Sequence, residues 1–125
     1  MSASFTEERV LIDRVVFEAL RADVGAALDD LLLAFLEEVR QQHVGLQALR
    51  ESRDGPGVRS IAHGLRGCSG YFGAQRLQSS AERLEAAAGR AMDWSVLEPL
   101  LDETCEVILA TRDALAAEAV AGTST

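Results

Sequence analysis

Leu28-Asp29-Asp30-Leu31-Leu32-Leu33-Ala34-Phe35-Leu36-Glu37-Glu38-Val39-Arg40-Gln41-Gln42-His43-Val44-Gly45-Leu46-Gln47-Ala48-Leu49 carries the clearest period in the 125-residue chain. Leu28, Leu32, Phe35, Val39, Gln42, Leu46 and Leu49 follow one another at alternating steps of four and three. A seam of that kind, sustained over three heptads, belongs to a helix that packs on neighbouring helices at a shallow angle. The spacing predicts a helix over 26–52 within an all-α bundle. His43 lies beside the seam, and no partner of metal-ligand spacing accompanies it.

Downstream, Arg53-Asp54-Gly55-Pro56-Gly57 is the strongest turn signal, with Pro56 suited to a first helical turn. The next helix is predicted over 56–70. At about 100° per residue, Val58, Ile61, Ala62, Leu65, Ser69 and Phe72 share the stripe to be buried. His63 points away from that stripe, with Ser60, Gly67 and Gly70 on its own face and Arg59 and Arg66 flanking it. Glycine inside a helix costs roughly 1 kcal/mol relative to alanine. Gly64, Gly67 and Gly70 are therefore a penalty that packing on the other face does not demand, and bare backbone beside an imidazole lets another macromolecule approach it.

Tyr71-Phe72-Gly73 reads as a bend, followed by a helix over 74–90 buried through Leu77, Ala81, Leu84 and Ala88. Glu85 falls about 60–70° off that seam, from where it can reach sideways to an adjacent helix, whereas Glu82 should face water. Met92 to Ser95 reads as loop. The last helix is predicted over 95–119, buried through Leu97, Leu101, Thr104, Ile108, Thr111 and Leu115. Ser95 and Glu98 have capping-box spacing, but Pro99 removes a backbone donor, so the helix either starts regularly only near Glu98 or kinks there. Upstream, an amphipathic helix over 7–20 should bury Leu11, Val15, Val16 and Leu20, with Asp23-Val24-Gly25 interrupting it. Short links between long helices imply an antiparallel up-down-up-down four-helix bundle with an additional short N-terminal helix. The chain forms one domain, 1–125, with 1–6 and 120–125 expected to fray.

The net charge of −8 argues against nucleic acid as a partner. The longest apolar run, Leu31 to Leu36, is far too short for a membrane span, and the polar opening shows no signal peptide. Cys68 and Cys105 have no paired spacing and read as reduced thiols, which suits the cytoplasm. Met1 is read as the start of a free-standing chain. No phosphate loop of an ATP-binding kinase is present.

His63-Gly64-Leu65-Arg66-Gly67-Cys68-Ser69, then Gly73-Ala74, Leu77 and Leu84-Glu85, resembles the signature of histidine-containing phosphotransfer (HPt) domains of bacterial two-component phosphorelays. The motif match covers about Ile61 to Glu85, and the helix layout agrees over nearly the whole chain. One departure is Arg66, where the family usually has lysine; arginine is a planar, always-charged fork rather than a compact point charge.

The resemblance implies that the short N-terminal helix caps one end of the bundle. It implies that His63 accepts a phosphoryl group from the aspartyl phosphate of a receiver domain and passes it to another receiver. Glu85 would hydrogen-bond and orient the imidazole, and Arg66 would attract phosphate oxygens. Ser60, Gly64, Gly67, Gly70 and Tyr71 are the candidate docking surface. The partners implied are response-regulator receiver domains and a hybrid histidine kinase, with the protein itself a monomeric carrier, not an enzyme with its own kinase activity. No cofactor is expected in this chain; a divalent metal belongs to the receiver. A metal site using His63 with Cys68 or His43 is disfavoured, because Cys68 lies on the buried side and Glu-x-x-His pairs are absent. A module that docks on a receiver or kinase and inhibits it, without taking phosphate, would use the same surface.

Overall fold

The computed structural model describes residues 10–90 and 93–123, with side chains through residue 118. Its helices are α1 (Arg14–Val24), α2 (Leu28–Ser52), α3 (Gly55–Tyr71), α4 (Gln75–Ala88) and α5 (Trp94–Thr123), with a 3-10 turn at Gly25–Ala27 joining α1 to α2. Helix α3 packs on α2 and α4, and α5 packs on α4 and α2. Links of a few residues make each helix run against the one before it, so the four long helices form the expected antiparallel bundle. One end of it gathers the α2–α3 and α4–α5 links, the other the α3–α4 link.

The seams follow the sequence closely. Leu28, Leu32, Phe35, Val39 and Leu46 are buried on α2; Val58, Ala62, Leu65 and Ser69 on α3; Leu77, Ala81, Leu84 and Ala88 on α4. On α5 all six expected positions, from Leu97 to Leu115, are buried. Gln42 and Leu49 lie at the margin, half-buried. Ser80 and Thr104 join α4 to α5 by a 2.7 Å hydroxyl pair inside the core, which satisfies two polar groups that would otherwise be costly to bury.

Capping residues set the helix starts. Asp54 accepts from the Gly57 amide at 2.9 Å, so α3 begins at Gly55 with Pro56 in its first turn. Asp93, rather than Ser95, caps α5: its carboxylate accepts from the Ser95 amide at 3.0 Å and the Ser95 hydroxyl at 2.8 Å. The helix therefore starts at Trp94 and continues through Pro99, against the expectation of a loop through Ser95 or a start near Glu98. It also extends through Thr123, past the predicted frayed tail from residue 120; residues 124–125 and the lead-in at 1–6 lie outside the described residues.

The N-terminal helix departs most from the prediction. Residues 10–13 are not helical, and the Asp13 carboxylate caps α1 by accepting from the Val15 amide at 3.0 Å; the proposed start at residue 7 lies outside the described residues. Starting at Arg14 turns Phe17 and Leu20 inward, while Val15 is 80% exposed, Val16 is exposed and Leu11 half-buried. An aromatic ring buries more apolar area than a valine, and the aspartate cap fixes the phase that allows it. The Asp13 amide donates to the Gly73 carbonyl at 2.7 Å, and Arg14 and Arg21 reach Glu118 of α5 at 2.7 and 3.2 Å. Helix α1 thus covers the end of the bundle that holds the α3–α4 link.

Candidate functional site

His63 stands midway along α3, with its side chain 65% exposed. Its Nδ1 lies 2.8 Å from Glu85 Oε2, across the α3–α4 interface. Glu85 sits on the flank of α4, as its position off the Leu77–Leu84 seam predicts, with only 17% of its side chain exposed. Arg66, one turn along from His63, places Nε 3.3 Å from Glu85 Oε1 and one terminal nitrogen 3.4 Å from His63 Nδ1.

These distances select a tautomer. A carboxylate only accepts hydrogen bonds, so the 2.8 Å contact requires the proton on Nδ1. Nε2, on a side chain that is mostly exposed, is then the nitrogen left with a lone pair. Arg66 also carries only donors, so beside a protonated Nδ1 it contributes charge rather than a hydrogen bond, and it forms an ion pair with Glu85. The hydrogen bond from His63, followed by the Arg66 charge, holds the Glu85 carboxyl below the usual carboxylate range, and Glu85 remains an anionic acceptor at neutral pH.

The glycines around the ring fall into two groups. A Cβ added at Gly64 or Gly67 would meet nothing within 4 Å, whereas one at Gly70 would come within 2.9 Å of Gln78 Nε2 on α4. The Gln78 amide, the movable end of a flexible side chain, thus lies over Gly70, while nothing among the described residues faces Gly64 or Gly67. Ser60 and Gly67 are exposed, and Tyr71, 52% exposed, meets the buried Phe72 edge-on at 5.2 Å.

On the other side of His63 lies a groove of about 780 Å³, bordered by Arg53, Pro56, Arg59, Arg90 and Trp94 as well as Ser60 and Glu85. Helical spacing sets Arg59 beside the histidine, whereas Arg53 and Trp94 fall in the expected turn and loop. The available signal was topological, since the α2–α3 and α4–α5 links must meet at one end of an antiparallel bundle. His43 is half-buried on α2, and among the described residues no group of three or more His, Cys, Asp or Glu side chains is placed to hold a metal ion.

A four-helix bundle that presents a carboxylate-oriented imidazole to solvent is the architecture of a histidine phosphotransfer module. The chain belongs to the Hpt domain family: a sequence model of that domain matches residues 30–119. It is accordingly a histidine phosphotransfer protein of the phosphorelay class, whose partners are two-component receiver domains and kinases. The chain is similar in fold to histidine-containing phosphotransfer protein B (HptB) from Pseudomonas aeruginosa PAO1, with a TM-score of 0.82 at 22% identity over 87% of this chain and 94% of that one. No curated protein matches it in sequence. No helix among the described residues is long and apolar enough to cross a membrane.

Proposed function

We propose that His63 is the phosphoacceptor, taking a phosphoryl group from the aspartyl phosphate of one receiver domain and returning it to the aspartate of another. The observation that carries this reading is the 2.8 Å contact between His63 Nδ1 and Glu85 on an exposed ring beside two bare glycines. In the transfer step the Nε2 lone pair forms the N–P bond while the acyl O–P bond breaks, and the aspartate carboxylate leaves with that electron pair. The ring becomes cationic, its Nδ1 proton stays in place, and the Glu85 carboxylate offsets the new charge. Reversal of the step on a second receiver restores neutral imidazole.

Arg66 supplies positive charge near incoming phosphate oxygens. Its side chain is 40% exposed, so the guanidinium can turn toward them while Glu85 retains the histidine. Ser60, Gly64, Gly67, Gly70 and Tyr71 form the surface on which the receiver sits, with the Gln78 side chain lying over Gly70. No kinase chemistry is assigned to the chain; the high-energy acyl phosphate comes from the partner.

Incubation with a phosphorylated receiver tests the proposal. Wild type should gain acid-labile, alkali-stable label and His63→Gln none. Equal label on both proteins, or none on either from a panel of receivers, contradicts it and favours docking without transfer.

A further inference from the structure

Arginine supplies all twelve of the chain's Lys and Arg residues. Most of the described ones lie against carboxylates, including Arg14 and Arg21 on Glu118, Arg40 on Glu37 and Arg50 on Asp102. Arg53, Arg59 and Arg90 form no ion pair among the described residues, and all three border the groove that opens at His63. In a chain of net charge −8, three cations gathered beside the reactive ring, against the Glu85 carboxylate on the same groove, set up a local field of opposite sign to the whole.

Two details indicate that the fold makes room for these cations. Arg53, the C-cap of α2, is the one non-glycine residue with positive φ among those described, at φ 54° and ψ 47°. Glycine is the ordinary occupant of that left-handed position, and a side chain there is strained. The strained backbone carries the guanidinium to a point 5.5 Å from the centre of the Trp94 ring. At Gly89, a Cβ would come within 3.2 Å of Arg59 Nε, so bare backbone at the C-cap of α4 lets the Arg59 side chain lie alongside.

We infer that this groove is a second docking element, which receives an acidic segment of the phosphoryl-exchanging partner flanking its phosphorylated aspartate. The inference rests on the proposed role of His63 and extends its contact surface toward the end of the bundle away from α1. Charge complementarity identifies the occupant. The phosphoryl group is carried by a protein, and a surface seated on His63 must also cover the adjacent turns of α3. Pro56 and His63 are seven residues apart, roughly 10 Å along the helix. Trp and Arg are the residue types that most often anchor protein interfaces. Three cations along that span that form no ion pair among the described residues select carboxylates opposite them, and their field speeds encounter.

The test measures the second-order rate of phosphoryl transfer from a phosphorylated receiver, beside labelling of His63 by the small donor phosphoramidate. Arg90→Glu should lower the transfer rate about ten-fold at low ionic strength, with most of the difference gone near about 1 M salt, where the Debye length is about 3 Å. Phosphoramidate labelling, itself drawn by the field because the donor is an anion, should be unchanged when read at the high salt where that field is screened. Arg53→Gly should slow transfer while leaving the melting temperature equal or higher, a combination that a merely structural role for Arg53 does not produce. Ala19→Glu with Ala22→Glu on α1 makes the same change in net charge at the other end of the bundle and should have little effect. Wild-type transfer by Arg90→Glu at low salt, or equal slowing by the α1 pair, overturns the inference. If phosphoramidate leaves wild-type His63 unlabelled, the phosphoacceptor reading fails instead; the groove is then judged by receiver binding, which Arg90→Glu must weaken in a salt-dependent way.

Discussion

Substitution of Gly67 separates what the fold needs from what the partner needs. A Cβ at this position meets no atom within 4 Å, and the residue lies inside a regular helix. Gly67→Ala should therefore recover the helix-propensity difference of about 1 kcal/mol. For a domain of this size that is a rise in melting temperature of roughly 4 °C. Gly67→Leu should fold at least as well as wild type, because leucine is also a good helix former and its side chain enters solvent. Transfer from a phosphorylated receiver should behave oppositely, falling modestly for alanine and on the order of 100-fold for leucine, the scale of loss when reacting atoms are held about 1 Å out of place. Phosphoramidate, which needs no docked protein, should label His63 at wild-type rate in both variants. Thermal denaturation and quenched-flow transfer read the two effects independently. Wild-type transfer by Gly67→Leu, or destabilisation by Gly67→Ala, would refute the idea that the bare backbone is kept for an incoming protein. Gly45 is the contrasting site: its added Cβ would lie 2.9 Å from Ile61 Cδ1, so Gly45→Ala should gain less stability or lose some.

Two further outcomes are expected. Gly73 has φ 73° and an added Cβ would press on the Asp13 carbonyl at 2.9 Å, so Gly73→Ala should cost about 1–2 kcal/mol or more; loss of hydrogen-exchange protection in α1 greater than in α4 would locate the damage, and unchanged protection would contradict this account of the turn. Arg40 and then Gln41 hold the Glu37 carboxyl down to about 2, and Arg21 and then Arg14 lower that of Glu18, so their folded values lie below the unfolded value of about 4.3. Their stabilisation is complete above that unfolded value and is lost as pH falls through the folded values; Glu37→Gln should flatten the most acidic part of a urea-midpoint-against-pH curve, and an unaltered curve would deny Glu37 that share.

The bundle was legible because burial is periodic. The α2, α4 and α5 seams each repeat at helical spacing, and one face of each helix meets the core. The flanks were harder. Helix α1 is short enough that a shift of one or two residues exchanges the valines for Phe17, and only the Asp13 cap decides the phase. The start of α5 turned on whether Asp93 or Ser95 supplies the first acceptor, a contest that local sequence leaves balanced. At the site, the outward direction of His63 and the lateral reach of Glu85 followed from counting residues around a helix. That Arg66 forms an ion pair with Glu85, that the Gln78 side chain lies over Gly70, and that Arg53, Arg59, Arg90 and Trp94 border one groove all depend on contacts between helices, which spacing along one helix does not encode.

The most direct test of the central claim is nitrogen-15 NMR of the His63 ring, before and after phosphorylation by a receiver. The free protein should carry its ring proton on Nδ1, with Nε2 showing the shift of an unprotonated nitrogen, and phosphorus coupling should then appear at Nε2. A resting proton on Nε2, or phosphorus attached to Nδ1, would contradict the account in which Glu85 prepares the opposite nitrogen for attack.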